Sequence, residues 1–572
     1  MDMELELLLA HADDQRPVLD GGLPLESASG EPRPAEDKEP GSFGDFSADP
    51  NDLSLQRWGL IAPEGPEGDH LLDLVEPLRK QREADQGGAP VRVYRVPAGM
   101  DTAAAVRWKK HVYWDESVPE DDLPRYLLTL GDLDRVSLEL QQVLASDLFI
   151  GRLTCPTDEG YAAYVDKVLR WERAPSSEPQ ARALFFTARD GTAATTIGHK
   201  ALVSPSVERC RERQQKRAFP AKEIEEIAYE GAPEARDALF EQLGRPEPSM
   251  LFTMSHGLGA PRGGWRSADE ARAVQGAMSL GGGLRIDAAD VAGQPFLPGG
   301  IWFFLACYGG GTPATSAYYH WLARLREVGG FGGGVDAVLA GLPRQGDRPF
   351  IAALPQAALA NPRGPLAVMA HIDLAWTYSF QDMGAEGRGR PSRFQGIFRS
   401  LVDGARSGTS YQQLLRFLSE TSVELSTLYD EEARLETAGK PLGPDNARGK
   451  EKANLWMLRQ DLAGYLLLGD PATRLPLSRD KAPRAAPPPP ELRSPAVTTP
   501  AEPQASTPAA ANGPVPMPAR DSAAMEEAVI ALLIGEETQK AIADRHGITR
   551  AELQRWVETY RATGRAALGK LS

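Results

Sequence analysis

The sequence predicts an α/β protein: a mostly parallel sheet flanked by helices, with a small all-α module at the C-terminal end. Three observations carry that expectation. Two six-residue apolar runs, Met250-Leu251-Phe252-Thr253-Met254-Ser255 and Ile301-Trp302-Phe303-Phe304-Leu305-Ala306, are flanked by Gly and Pro, as strands buried on both faces are. Shorter runs of the same kind alternate with stretches of helical periodicity, the pattern of a parallel sheet crossed by helices. Each of the two long runs also ends at a reactive side chain. The first runs into His256-Gly257 and the second into Cys307-Tyr308-Gly309-Gly310-Gly311. In open α/β sheets, chemistry collects just beyond the carboxyl ends of the strands.

Taken in order, residues 1–50 hold thirteen Asp or Glu against three Lys or Arg and show no periodicity. They read as an acidic disordered tail with one short helix over 2–12. A solubilising role is the plain reading, and a removable pro-segment or partner tag is the functional alternative. Residues 51–180 read as an N-terminal α/β subdomain. Its strands are expected at Trp58 to Pro63, Val91 to Val96, Tyr126 to Leu130 and Asp147 to Leu153. Its helices are expected at Leu71 to Arg82 and from Thr157 to Glu172. Residues 181–478 read as a second α/β domain. A strand at Ala183 to Ala188 ends at Arg189-Asp190-Gly191-Thr192, and a broken helix over Ala221 to Leu243 leads to the His256 strand. After the Cys307 strand come a further strand, Pro365 to Ala370, and three helices ending near Leu468. Residues 479–521 are a Pro-rich linker: between 481 and 520 there are twelve prolines in forty residues, which leaves nothing to build a core.

Composition narrows the classes. At 572 residues the chain has room for several domains, and its net charge of −16 argues against a protein built mainly to hold nucleic acid. Three scattered cysteines (Cys155, Cys210, Cys307) suit neither a disulfide framework nor a zinc site, and point to a reducing compartment. No apolar run is long enough to span a bilayer, and the start is acidic where a secretory signal needs positive charge. A cytoplasmic protein with no membrane partner, no metal and no cofactor is expected.

The chemistry centres on a Cys/His pair. Thiolate attack needs a base within reach and an open setting, and a strand that ends at Cys307 and turns into glycines supplies the opening. Free amides after the Cys307 strand would stabilise an oxyanion, and Gly257 would likewise present an unobstructed backbone N–H. Asp190, at the end of the preceding strand, would line a specificity pocket and favour Arg or Lys at the cleaved bond. Asp373 and Trp376, after the next strand, would wall the same pocket. The glycine run after Cys307 lacks the ending of a phosphate loop, and His371 has no second ligand at metal spacing.

His256 precedes Cys307 by 51 residues. At these residues the chain resembles the caspase–gingipain clan of cysteine peptidases. Ser255-His256-Gly257 is similar to the clan's histidine motif and Leu305-Ala306-Cys307-Tyr308-Gly309 to its nucleophile motif, with Leu305 where the caspase pentapeptide has Gln. Gly151-Arg152-Leu153 and Leu468-Gly469-Asp470-Pro471 resemble gingipain-type landmarks, so the likeness covers about residues 55 to 476. It implies a caspase-like fold and a bacterial-type cysteine endopeptidase acting on a protein substrate. Cys307 would be nucleophile, His256 would protonate the leaving amine, and the Gly257 and Cys307 amides would hold the oxyanion. The clan does not require a third orienting residue.

Residues 522–572 resemble the helix-turn-helix of transposase-type and regulator proteins, with Gly547 at the turn. Arg550 and Arg555 would sit on the reading helix. Seven basic and seven acidic residues over 523–572 leave the module neutral, so both DNA contact and protein recruitment stay open. The competing function is a catalytically silent α/β scaffold or regulator that acts through this module.

Overall fold

The computed structural model of the chain describes residues 4–19, 21–24, 49–229, 231–329, 332–382, 388–439 and 447–478. The expected Pro-rich linker and helix-turn-helix, with Arg550 and Arg555, lie outside the described residues.

Three short strands open the chain: β1 (Glu4–Leu5), β2 (Leu9–His11) and β3 (Leu23–Pro24). They stand where a disordered tail with one helix was expected. The reason is the apolar run Leu7-Leu8-Leu9-Ala10, all four residues buried, which finds a partner strand far along the chain.

The next strands are β4 (Trp58–Pro63), β5 (Arg92–Val96), β6 (Tyr126–Leu130), β7 (Phe149–Leu153), β8 (Ala181–Thr187), β9 (Ala221–Glu226) and β10 (Ser249–Met254). They are followed by β11 (Gly257–Gly259), β12 (Met278–Gly281), β13 (Leu284–Ile286), β14 (Ile301–Leu305), β15 (Gly311–Thr312) and β16 (Phe350–Ile351). The last two are β17 (Ala367–His371) and β18 (Tyr465–Leu468). Ten of these make one sheet in the order β5-β4-β6-β7-β18-β17-β14-β10-β8-β9. Every neighbouring pair is parallel except β17 and β18. The sheet is thus two parallel blocks running in opposite directions and joined at β18. The expected boundary near residue 180 therefore falls between strands of one continuous sheet. The carboxyl ends of β4 to β7 lie at the edge opposite those of β10 and β14, so the first block cannot contribute strand ends to the same site.

The two long apolar runs behave as strands covered on both faces. β10 and β14 are adjacent and parallel, with Met250 opposite Ile301 and Met254 opposite Leu305. Alternate residues face opposite layers. Phe252 and Phe303 stack with centroids 5.5 Å apart and join the cluster with Phe185, Phe394 and Phe398. Leu251, Trp302 and Phe304 enter the other cluster, with Phe186 and Phe296.

Two segments read as helical are strands. Ala221–Glu226, expected as the start of a helix, is the edge strand β9, and its Glu223 and Glu225 pair with buried Arg182 at 3.1 and 3.4 Å. Charged residues on an edge strand are tolerated because that edge meets water. The last expected helix stops at Ala463, and Tyr465–Leu468 enters the middle of the sheet. A second sheet, β13-β12-β11-β2, rises from the end of β10 and carries the N-terminal segment over the carboxyl edge.

Candidate active site

β10 and β14 deliver His256 and Cys307 to one edge. A tight contact joins the two strand ends. A Cβ built at Gly257 would fall inside the envelope of the Cys307 carbonyl oxygen, so only glycine lets β11 come this close. Just after the thiol, Tyr308 holds a left-handed φ of 55°, a strained conformation for a tyrosine. Its amide donates to the Asp373 carbonyl at 2.9 Å and the Gly310 amide to the His371 carbonyl at 2.7 Å, which fixes the turn.

The consequence is a pair of converging donors. The Gly257 amide and the Cys307 amide both donate to a single carbonyl oxygen, that of Leu8, at 2.9 and 3.3 Å. The Cys307 thiol sits in the same corner. Its Sγ donates to the Ala375 carbonyl at 3.6 Å and accepts from the Ala375 amide at 3.1 Å.

His256 is oriented from behind. Its Nε2 lies 3.0 Å from the Thr192 hydroxyl, which donates in turn to Asp190 Oδ1 at 2.8 Å. With that hydroxyl proton committed to the carboxylate, the Thr192 oxygen accepts from Nε2–H, and Nδ1 is left for the reacting side. Nδ1 makes no hydrogen bond of normal geometry, although the Leu8 backbone lies near enough to raise its proton affinity. Burial is the larger effect and lowers the imidazole pKa from its usual value, with the Asp190 carboxylate opposing it.

Asp190 was expected as a charged pocket wall. Its carboxylate instead accepts from the Thr192 amide and from the Thr192 and Thr195 hydroxyls, and stands 3.6 Å from His256 Nε2. The turn after β8 folds back on itself and brings the side chain to the histidine, and Asp190 and Thr192 also line a cavity with Asp14 to Pro17 and Gly281 to Gly283. Asp373 is buried. It accepts from the Leu374 and Ala317 amides, both at 2.8 Å, while burial pushes its pKa up to about 6. It braces the Cys307 turn. Trp376 is buried among Tyr318 and Trp321, and its backbone pairs with Leu7.

Two contributors had no sequence signal beyond their type. Thr192 sits in the turn after β8, in which the sequence singled out Asp190 alone. Asp461 comes from a distant helix and accepts from the Trp376 amide at 2.9 Å and the Ser379 amide at 2.8 Å, which holds the loop beside the thiol. Burial raises its pKa to about 7 against those hydrogen bonds. His371, buried below, donates its Nε2–H to the Asp461 carbonyl at 3.0 Å and accepts at Nδ1 from the Asp373 amide at 3.2 Å, and burial lowers its pKa to about 4. Among the described residues, no three His, Cys, Asp or Glu side chains gather at metal-binding distance, and no helix is long and apolar enough to cross a membrane.

The thiol itself is covered. Burial raises the Cys307 pKa well above its ordinary value, with the Ala375 amide and the Leu8 backbone opposing and Asp461 and Asp373 adding to it. Burial likewise pushes Cys155 and Cys210 up to about 12. A raised thiol pKa means little thiolate at neutral pH and more as pH rises. Iodoacetamide at pH 7 is therefore expected to leave all three cysteines of the native chain unlabelled and to label all three in guanidinium, read by peptide mass mapping. Rapid labelling of Cys307 in the native chain at pH 7 would contradict a covered, neutral thiol.

No family model matches the chain, and no curated protein matches it. Among solved structures it is similar to the Arg specific cysteine proteinase gingipain R, at 13% identity and a TM-score of 0.40, covering 74% of this chain and 78% of that one. A complex of the Porphyromonas gingivalis RgpB pro- and mature domains matches at 14% identity and a TM-score of 0.39, over 73% of this chain and 79% of that one. A third structure, of a protease, matches at 11% identity and a TM-score of 0.42, over 73% of this chain and 78% of that one.

Proposed function

We propose that the chain is a cysteine endopeptidase. The observation that carries this is the convergence of the Gly257 and Cys307 amides on one peptide carbonyl beside the Cys307 thiol. Two preorganised amide donors aimed at a carbonyl, with a sulfur nucleophile in the same corner, are what acyl transfer requires.

The geometry supports the following roles. Cys307 Sγ attacks the carbonyl carbon, and the thiol proton passes to His256. Charge developing on the carbonyl oxygen is held by the two amides. The carbon–nitrogen bond then breaks as His256 hands the proton to the leaving amine. Water hydrolyses the thioester, regenerating the thiol and releasing a carboxylic acid. Asp190, through Thr192, keeps the imidazole turned and stabilises its charged form; it is a positioning residue. With Cys307 and His256 both buried and neutral at rest, the proton transfer is set up only when a substrate occupies the cleft.

The test compares the chain with its Cys307→Ala variant on a mixed peptide library. Cleavage by the first and none by the second is expected, a difference of at least about a thousandfold. Equal cleavage by both would remove Cys307 from the chemistry.

A further inference from the structure

The cleft is occupied by the chain's own N-terminal segment. Leu8 donates its amide to the Ala375 carbonyl at 3.4 Å, and Leu7 bridges to Trp376 in antiparallel fashion. On the other side of the Leu8 carbonyl, β2 runs parallel to β11, with Leu9 opposite Gly257 and His11 opposite Gly259. Residues 7 to 11 are therefore extended across the nucleophile and held by main-chain pairing on both sides. The carbonyl between the two donors is the one a peptidase would attack. The segment is clamped beyond that point as well: His11 Nδ1 bonds the Ala260 carbonyl at 2.9 Å, and Asp14 pairs with Arg262 at 3.4 Å.

We infer that residues 7–11 are a built-in pseudo-substrate, and that their register reports the enzyme's own preference: leucine immediately before the scissile bond, leucine after it, and a small residue next. This rests on the endopeptidase reading above. Leu8 is fully buried within the large apolar core on this face of the sheet, and its backbone pairs with Ala375, next to the buried Trp376. The carboxylates that act on the thiol, Asp461 and Asp373, spend both oxygens on backbone amides, and Asp190 is turned to His256. A basic residue in place of Leu8 would bury its charge against groups already committed, which is costly. Past the scissile bond, Gly259 makes room for Leu9, since a Cβ there would lie 2.6 Å from Leu9 Cδ1. Ala10 fits a small apolar cluster with Leu258 and Ala277. Because the occupant is tethered, its effective concentration is on the order of millimolar, enough to exclude a dilute competitor.

The experiment uses the full chain and two variants, Leu8→Asp and Leu8→Gly. The first places a charge in an apolar site and the second only trims the side chain, so one serves if the other folds poorly. The probe is a synthetic peptide of residues 4–13 carrying a fluorophore and quencher, alongside the same peptide with Arg at position 8. Both variants should cut the leucine probe at least about tenfold faster than the native chain. Mass spectrometry should place the cut between Leu8 and Leu9, and the Arg probe should be cut at least about a hundredfold more slowly. Equal rates in native and variant chains would overturn the pseudo-substrate. A cut at another bond, or preference for the Arg probe, would overturn the specificity while leaving the endopeptidase in place. If neither variant cuts any member of the mixed library, the endopeptidase reading itself fails.

Discussion

A Gly257→Ala chain is expected to lose turnover by about two to three orders of magnitude, the usual cost of removing one oxyanion donor. The measurement belongs in the Leu8→Asp background, where the cleft is open. The physical cause is a collision with backbone, not with a movable side chain. The new methyl group would fall on the Cys307 carbonyl oxygen, so β11 and the Cys307 turn must separate. Their amides now meet at one oxygen, at 2.9 and 3.3 Å, and a shift of a few tenths of an ångström in opposite directions breaks that convergence. Because the donors act on charge that develops in the transition state, kcat should fall while KM moves little. Some stability is lost too, on the order of 1–3 kcal/mol for an overpacked contact. A kcat within about threefold of the parent would show that these two amides are not the oxyanion donors.

That His256 and Cys307 stand at adjacent strand ends was legible because the sheet buries β10 and β14 on both faces. That burial leaves long apolar runs, and a run that stops at His or Cys announces its own end. Ala221–Glu226 was not legible for the opposite reason: its two buried residues, Ala221 and Ile224, stand three apart as on a helix because the pairing with β8 slips by one residue between them, and Ala-Lys-Glu-Ile-Glu-Glu has the composition of a solvated helix. Asp190 could be placed at a strand end but not aimed. Its direction depends on a turn in which Thr192 and Thr195 both reach back to it.

The N-terminal segment shows a different limit. Leu7-Leu8-Leu9-Ala10 is a conspicuous apolar run inside an acidic stretch, and that was a signal. Its partner, Gly257–Gly259, lies some 250 residues away in sequence, and no local pattern predicts which edge such a run will find. The composition of the first fifty residues describes the acidic surroundings and hides the run. The opposed directions of the two sheet blocks were hidden likewise. They depend on β18 emerging from the end of a helix and pairing antiparallel to β17.

That junction makes the second large effect. An Asp470→Ala chain is expected to lose about 3–5 kcal/mol of stability, read by denaturant unfolding, the range for removing one partner of a buried ion pair. β18 meets β7 at a single paired position, Leu468 with Arg152, so the main-chain seam between the blocks is thin. Asp470, just past β18, closes it with side chains. It accepts from Arg82 Nε at 2.9 Å and Nη2 at 2.8 Å, from the Trp58 indole at 2.9 Å, and from the Ala472 amide at 3.0 Å. Arg82 and Asp470 are both fully buried. Burial alone would lower the guanidinium's pKa, but Asp470, Glu172 and Asp85 outweigh it and hold it well above its ordinary value. Alanine would strand the indole and the Ala472 amide without an acceptor and leave Arg82 to carboxylates at the rim. Asp470→Asn keeps an oxygen for the indole and the amide but turns an NH2 group toward Arg82, losing the charge and both guanidinium hydrogen bonds, so its cost should be smaller than that of alanine. Equal losses for the two substitutions would mean that the Arg82 ion pair, not the indole and amide hydrogen bonds, joins the blocks. A loss under about 1 kcal/mol for alanine would mean the blocks are held elsewhere.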